Sequence, residues 1–117
     1  MRQVISFMHA SLDGFVQGTE PWDLRWISYN EELEAFASET LADVTTVIFG
    51  RVTFLGMDAH WRAVPNDPNS TPYELRHAEW LENTEKIALS TTLEGSDWKN
   101  TRVVRGDLPG EIARLKA

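Results

Sequence analysis

Cysteine is absent from the 117-residue sequence, which excludes disulfides, thiolate catalysis and cysteine-based zinc sites. Long apolar runs are absent too. The first apolar run is short and is followed by His9 and Asp13, so neither a signal peptide nor a membrane span is expected. The sequence has no P-loop, no dinucleotide G-x-G-x-x-G and no G-x-S-x-G nucleophile motif. The sequence therefore has no motif that would support a hydrolase or nucleotidase function. We expect a soluble, cytoplasmic protein.

Positive charge is scarce, with 11 Lys and Arg against 18 Asp and Glu and a formal net charge of -7. Because nucleic acids and anionic membranes bind basic faces, neither is expected as a partner. His9, His60 and His77 show no metal-ligand spacing, so no metal site is predicted. The composition is otherwise ordinary for a globular protein, and the length predicts a single domain over residues 1–117.

Short runs of β-branched and apolar residues predict four strands, at 4–8, 44–49, 86–90 and 102–105. The first two runs are almost continuous, which is typical of strands covered on both faces in parallel sheets. Helical patterns alternate with these runs. The order of elements therefore predicts an α/β sandwich with a mostly parallel sheet.

Four stretches have helical character, at 30–41, 52–59, 71–81 and after Asp107. Ser28 to Glu31 has the spacing of a capping box, and Thr71 to Glu74 forms a second one with proline at the first helical position. The residues predicted to face the core are Leu33, Phe36, Ala37, Leu41, Leu75, Ala78, Leu81, Leu108, Ile112 and Leu115. A proline-rich stretch, 63–72, predicts a long surface loop.

The strongest chemical signal follows the 44–49 run, where Gly50 ends the strand and Arg51 and Thr53 enter a helix. Such a junction presents unpaired N–H groups and the positive end of the helix dipole, and both favour an anion. Arg51 adds a forked cation and Thr53 adds a hydroxyl. For so short a motif, the alternative is a turn glycine followed by a surface arginine.

Two further predicted strand ends carry polar residues: Ser11, Asp13 and Gly14 follow the first run, and Ser90 and Thr91 follow the third. Ligands of open α/β sheets bind at the carboxyl edge, so the three strand ends together predict one binding site. For Ser11 to Gly14 alone, the alternative is an ordinary β-turn, where Asp is common for conformational reasons. Asp13 is the candidate catalytic residue.

Four motifs occur in order along essentially the whole chain: VISFM (4–8), SLDGF (11–15), VIFGRVTF (47–54) and IALSTTL (87–93). Together they resemble the dihydrofolate-reductase-like proteins related to the C-terminal reductase domain of the riboflavin-biosynthesis deaminase/reductase, RibD. The resemblance implies a three-layer α/β/α dihydrofolate-reductase-like fold and, often, a homodimer. It also implies an NADPH-dependent oxidoreductase that transfers hydride to a small heterocyclic or carbonyl molecule, similar to 5-amino-6-(5-phosphoribosylamino)uracil reductase or dihydrofolate reductase.

The resemblance also assigns roles to the candidate residues. It implies that the cofactor phosphates are held by Gly50, Arg51 and Thr53, the adenosine end by Ser90 and Thr91, and the nicotinamide and substrate side by Ser11, Asp13 and Gly14. In such enzymes the hydride comes from the cofactor, so the protein supplies positioning and polarisation.

Three departures from the family pattern affect these expectations. Thr91 occupies a position that is commonly Arg or Lys in the family, which weakens the expected preference for a 2′-phosphate and makes NADH a second candidate cofactor. Relatives continue past this point into further strands, so we expect a C-terminally truncated, N-terminal portion of the fold, either a fragment or completed by a partner chain. Ile27 stands where a substrate-binding carboxylate is expected, which argues against folate. The alternative function is a non-catalytic family member acting as an oligomeric binding module.

Overall fold

The computed structural model describes residues 2–117, which form two compact units: residues 41–108 make one, and residues 2–40 with 109–117 make the other. Four α-helices, three strands and one 3-10 helix follow one another along these residues. In chain order they are α1 (Glu31–Leu41), β1 (Thr46–Gly50), α2 (Arg51–Ala63), the 3-10 helix (Val64–Asn66), α3 (Pro72–Asn83), β2 (Glu85–Leu89), β3 (Thr101–Val104) and α4 (Leu108–Lys116). All three strands belong to the 41–108 unit.

The three strands form one sheet in the order β1-β2-β3, and both neighbouring pairs are parallel. Parallel strands cannot be joined by a tight hairpin, so each pair needs a crossover. α2 and α3 provide the first crossover, and residues 90–100 provide the second. The predicted α/β class with a parallel sheet is confirmed.

Burial within the sheet follows strand position rather than apolar content. Lys86, Ile87 and Ala88 in the middle of β2 are all buried, although β2 begins with two charged residues. β1 is apolar from Val47 to Phe49 but only half-buried. The prediction that this run is covered on both faces is wrong, because β1 lies at an edge of the described sheet and β2 lies at its centre.

The core of the 41–108 unit lies where α2 and α3 pack against the sheet. Its buried apolar cluster consists of Phe54, Leu81, Ala88 and Trp98, and the Phe54 and Trp98 ring centroids are 5.9 Å apart. Burying each large side chain stabilises the fold by roughly 1.5–3 kcal/mol. Trp98 lies in the connection between β2 and β3, outside every strand and helix predicted from the sequence, so sequence reasoning missed this core residue.

Lys86 is a charged residue within this core and is 0% exposed. Its Nζ donates to the carbonyl oxygens of Leu81 at 2.6 Å and Thr84 at 2.8 Å, and it lies 4.7 Å from the centroid of the Trp98 ring. These carbonyls are at the end of α3, where the helix dipole is negative, so the ammonium caps this helix. Burial lowers the pKa of Lys86, and the negative charge of Glu82 opposes that effect.

Two helices begin with side-chain caps. At α3, Thr71 Oγ1 accepts from the Glu74 amide at 3.2 Å, and Glu74 Oε2 accepts from the Thr71 amide at 2.7 Å, which confirms the predicted capping box. At α1, Asn30 Oδ1 accepts from the Leu33 amide at 2.9 Å. The helix over 30–41 is therefore confirmed, but its cap is Asn30 rather than Ser28, because Asn30 directly precedes the first turn.

Residues 4–8 form no strand, so the prediction of a buried first strand is wrong. The exposed apolar residues of this segment are Val4, Ile5 and Met8. Phe7 is half-buried, and its ring stacks on Phe36 at a centroid distance of 6.4 Å. A strand exists only when its backbone groups have a ladder partner, and no strand in residues 2–117 pairs with this segment.

Smaller differences concern helix length and helix faces. α2 continues past the predicted 52–59, and the 3-10 helix occupies the start of the predicted 63–72 loop, where Val64 is buried. Ala37, Ala78 and Leu81 are buried as predicted. Three residues predicted to face the core are instead exposed: Phe36, Leu75 and Leu108.

Candidate functional site

The carboxyl ends of the three parallel strands meet at one edge of the sheet. Their last paired residues are Gly50, Leu89 and Val104, which lie side by side in register. Arg51, Ser90 and Arg105 come next in their chains and therefore leave the sheet at the same level. Since neighbouring strands are about 4.8 Å apart, the backbones of Arg51 and Arg105 leave the sheet about 10 Å apart, on either side of Ser90. The edge thus carries two arginines and a hydroxyl.

The N-terminus of α2 has no internal cap. Gly50 is the N-cap residue, with φ -69° and ψ 167°, and no side chain accepts a hydrogen bond from the first turn. The first turn also contains no acidic residue. Its N–H groups and the positive end of the helix dipole are therefore available to an anion. A Cβ built on Gly50 would meet no atom within 4 Å, so the space above this residue is open to a ligand.

Arg51 and Thr53 are exposed in the first turn of α2. Arg51 makes no hydrogen bond or ion pair with another residue of the described chain. Phe54, the next residue after Thr53, is 1% exposed and fixes this end of the helix in the core. The structure therefore holds Gly50, Arg51 and Thr53 together at the start of one anchored helix, as the sequence predicted.

Ser90 organises the loop that follows β2. Its Oγ accepts from the amides of Thr92 at 3.1 Å and Leu93 at 3.0 Å, and its own amide donates to the carbonyl oxygen of Val104 at 3.1 Å. The side chain of the neighbouring Thr91 is exposed. Ser90 and Thr91 thus lie on the same sheet edge as Gly50, and the Ser90 hydroxyl already has a structural role in the turn.

Arg105 is the residue at this edge that sequence reasoning did not consider. Its Nη1 donates to the carbonyl oxygen of Thr91 at 3.2 Å, and its Nη2 donates to those of Leu93 at 2.7 Å and Glu94 at 3.3 Å. The only sequence signal is that Arg105 is a basic residue at the end of the strand predicted over 102–105. Nothing local in the sequence indicates that it reaches a loop 14 residues earlier.

Ser11, Asp13 and Gly14 form a turn in the unit made by residues 2–40 and 109–117. The Gly14 amide donates to the Ser11 carbonyl at 2.9 Å, and the Ser11 hydroxyl donates to Asp13 Oδ1 at 2.6 Å. Gly14 has φ +92°, a left-handed conformation that favours glycine. The predicted Asp-Gly turn is confirmed, but it does not end a strand as predicted, because residues 4–8 are not in the sheet.

Residues 2–117 contain neither a cluster of metal-ligating side chains nor a membrane-spanning helix. No group of three or more His, Asp or Glu side chains among them could hold a metal ion. None of the helices in this part of the chain has both the length and the apolar character needed to cross a bilayer.

Comparison with protein families gives one result for this chain. The family model described as the RibD C-terminal domain matches residues 2–115. The match spans almost the whole sequence and includes every candidate residue named above. No curated protein matches the chain.

Proposed function

The chain belongs to the RibD C-terminal domain family, and on this premise we propose that it is an NAD(P)H-dependent reductase acting on a small heterocyclic or carbonyl substrate. Family membership supports an oxidoreductase of the dihydrofolate-reductase-like kind. The observation that carries the proposal is the uncapped start of α2, where Gly50 and Arg51 stand at the carboxyl edge of a parallel sheet. Phosphate-bearing cofactors bind at such edges.

The residues at this edge fit a nucleotide pyrophosphate. The first-turn N–H groups of α2 have no internal acceptor, Gly50 leaves open space beside them, and Arg51 has an uncommitted guanidinium. Charge-assisted hydrogen bonds from backbone N–H and arginine to phosphate oxygens are short and strong. We assign the cofactor phosphates to Gly50, Arg51 and Thr53, and the adenosine side to Ser90 and Thr91.

The bound cofactor supplies the hydride, and the residues of the chain orient it and supply the accompanying proton. For Ser11, Asp13 and Gly14, the assignment to the nicotinamide and substrate rests on family membership. Asp13 Oδ1 accepts the Ser11 hydroxyl at 2.6 Å, which fixes the carboxyl group in the turn. Its Oδ2 makes no hydrogen bond within the described chain, so this oxygen is available to a substrate.

One observation favours the second candidate function, an oligomeric binding module without catalysis. Residues 4–16 expose several large apolar side chains that belong to no strand: Val4, Ile5, Met8, Leu12, Phe15 and Val16. Exposed apolar surface of this kind marks interaction sites. We propose that the protein associates as a homodimer, which is compatible with either function.

The reductase proposal predicts that Arg51→Ala weakens binding of NADPH and NADH about tenfold or more. A hydrogen bond to a charged group contributes about 1.5–3 kcal/mol, and 1.4 kcal/mol corresponds to a factor of ten. Binding is measured by quenching of tryptophan fluorescence and by calorimetry. Arg76→Ala is the matched control, because Arg76 is an exposed arginine on α3 and not at the sheet edge.

Saturable nucleotide binding that Arg51→Ala weakens and Arg76→Ala leaves intact supports the reductase. Absence of binding of either nucleotide at millimolar concentration overturns it and leaves the binding-module alternative. Equal losses in both variants mean that the chain attracts nucleotides only by general charge, and the phosphate assignment then fails.

A further inference from the structure

Two parts of the described chain lack a backbone partner: the apolar segment over residues 4–8 and the outer edge of β1. We propose that they pair between two copies of the chain, so that residues 4–8 of each copy add a parallel strand to β1 of the other. This inference rests on the proposed homodimer and nucleotide site, and adds to them that the site is built from both copies.

Residues 4–8 have the composition of a strand but none of its hydrogen bonds. Their sequence, VISFM, contains no charge, proline or glycine. None of their backbone groups makes a hydrogen bond with another residue of 2–117. Val4, Ile5 and Met8 are 62%, 51% and 69% exposed. Joining a ladder stabilises such a segment, because it satisfies the backbone groups and removes apolar side chains from water.

β1 has an unprotected edge. It pairs only with β2, so the backbone groups on its other side have no ladder partner in residues 2–117. Its sequence, TVIFG, contains neither a charge nor a proline, the two residue types that most often keep edge strands from pairing. β3, at the opposite edge, is four residues long and carries Arg102. Of the two edges, that of β1 therefore favours an additional strand.

The segment and the edge match in length and chemistry. Each has five residues, and both are apolar and uncharged. Alignment of residues 4–8 with Thr46–Gly50 pairs every residue of one with a residue of the other and places Ser6 opposite Ile48. One copy leaves both parts unpaired, whereas a two-fold symmetric pair satisfies both at once, since each copy donates one strand and receives one.

The direction of the added strand determines its effect on the site. Both existing strand pairs are parallel, and purely parallel sheets are over-represented among proteins. In a parallel arrangement, residues 4–8 end level with Gly50, and the chain then enters the turn formed by Ser11, Asp13 and Gly14. Neighbouring strands are about 4.8 Å apart, so this turn lies beside the start of α2. An antiparallel strand would carry the turn to the opposite edge of the sheet.

The exchange therefore combines two groups that the nucleotide site needs. The start of α2 supplies Arg51 and uncapped N–H groups from one copy. The other copy supplies Asp13, whose Oδ1 accepts the Ser11 hydroxyl at 2.6 Å within the turn, so this carboxylate is oriented without help from the sheet. A dimer of this kind has two identical sites, each with its cationic and acidic parts on different chains.

Engineered cysteines test the pairing directly, because the chain has no cysteine of its own. Ser6→Cys and Ile48→Cys are made as single variants, one with a tag that changes its mass, and are mixed under mild oxidation. A mixed disulfide dimer is expected, since adjacent strands hold opposite Cα atoms within the range that a disulfide spans. Ser6→Cys mixed with Arg102→Cys is the matched control at the other sheet edge, where no mixed disulfide is expected.

Three cross-linking results would overturn the inference. A disulfide between two Ile48→Cys chains would show that β1 pairs with β1. A double variant, Ser6→Cys/Ile48→Cys, that closes only within one chain would show that the pairing does not need a second copy. Equal cross-linking of Ser6→Cys to Ile48→Cys and to Arg102→Cys would show that the segment contacts both edges without preference.

Ser6→Pro tests whether the exchange completes the site. Proline removes an N–H from the added strand, and Ser6 lies outside every helix and strand of a single copy, so each copy keeps its fold. The variant is expected to sediment as a monomer where the wild type is a dimer. It is also expected to bind NADPH about fivefold more weakly, which corresponds to about 1 kcal/mol, the net contribution of one hydrogen bond. Ser6→Ala is the control and is expected to match the wild type in both respects.

Failure of this inference and failure of the reductase proposal give different results. A Ser6→Pro monomer that binds NADPH as tightly as the wild type overturns the shared site and leaves the reductase proposal intact. A wild type that forms the mixed disulfide but binds neither NADPH nor NADH overturns the reductase proposal and supports the strand exchange.

Discussion

Individual residues join distant parts of the 41–108 unit, and Lys86 is the clearest case. Its buried ammonium caps the end of α3 and lies over the ring of Trp98, which is itself held by a hydrogen bond from its Nε1 to Glu82 Oε2 at 2.8 Å. One lysine therefore links β2, α3 and the connection that leads to β3. Its removal takes the charged donor from the carbonyl oxygens of Leu81 and Thr84, and the Leu81 oxygen keeps its hydrogen bond from the Thr84 amide at 3.2 Å.

Lys86→Met is expected to lower the free energy of unfolding by about 2–4 kcal/mol. Methionine fills a similar volume, but the carbonyls of Leu81 and Thr84 lose a charged donor, and a hydrogen bond from a charged group contributes about 1.5–3 kcal/mol. Urea unfolding followed by circular dichroism measures the change. Lys99→Met is the control, because Lys99 is exposed and contacts only Asn83 Oδ1 at 3.1 Å, so a change below about 0.5 kcal/mol is expected. Equal stability of the Lys86 variant and the wild type would contradict the capping role.

The sequence predicted the positions of the residues in the proposed site only where the signal is local. Gly50, Arg51 and Thr53 were placed correctly at a strand–helix junction, because a glycine between an apolar run and a helix marks that junction without tertiary information. Arg105 was missed because its role depends on contacts with a loop 14 residues away. Trp98 was missed for the same reason, since it reaches Glu82 across 16 residues.

For helices and strands too, the sequence predicted the features that depend on neighbouring residues and not those that depend on distant ones. The α3 capping box was predicted because its partners, Thr71 and Glu74, are three residues apart. The strand predicted over residues 4–8 does not form, although its sequence is as apolar as that of β1. Strand formation depends on a ladder partner, and an apolar run carries no information about whether one is present.

The facing sides of α2 and α3 carry an aromatic cluster around His77. The His77 ring lies 4.4 Å from Trp61, 5.2 Å from Trp80 and 5.9 Å from Tyr73, measured between ring centroids. Burial lowers the pKa of His77, and the positive charge of His60 lowers it further. Folding therefore favours the neutral imidazole.

This lowered pKa predicts that the protein loses stability as pH falls below about 6.5, the pKa of an unfolded histidine. Between pH 6.5 and the lower pKa of folded His77, the unfolded state binds the proton and the folded state does not. The contribution of neutral His77 to the free energy of unfolding is therefore fully present above pH 6.5 and decreases as the pH falls toward the pKa of the folded state. The slope approaches about 1.4 kcal/mol per pH unit. His77→Gln is expected to flatten the stability profile just below pH 6.5, whereas His60→Gln, at an exposed position, is expected to leave most of the slope. Identical slopes in the wild type and His77→Gln would refute the assignment.

For the molecule as a whole, the predicted α/β class was correct because alternating apolar runs and helical patterns impose a parallel sheet. The sheet nevertheless has three strands in residues 2–117 rather than the four predicted. Residues 4–16, which include the segment left out of the sheet, expose large apolar side chains, with Met8 69% and Leu12 108% exposed.

The proposed homodimer predicts that replacing exposed apolar residues of this segment abolishes association. The double variant Met8→Lys/Leu12→Lys is expected to sediment as a monomer at concentrations at which the wild type sediments as a dimer, since a stable interface needs roughly 800 Å² of surface from each partner. Leu75→Lys, at an exposed apolar position on α3, is the control. A wild type that stays monomeric at high micromolar concentration would exclude the dimer.

The parallel order of β1 and β2 also determines when the site can form during synthesis. The ladder joins Thr46 to Glu85, which are 39 residues apart, so a large loop must close before the first strand pair exists. A nascent chain exposes β1 and the start of α2 well before β2 has left the ribosome. The orientation of Arg51 relative to Ser90 is therefore acquired only after β2 has been translated, and a nascent chain that ends before β2 presents the start of α2 without this edge.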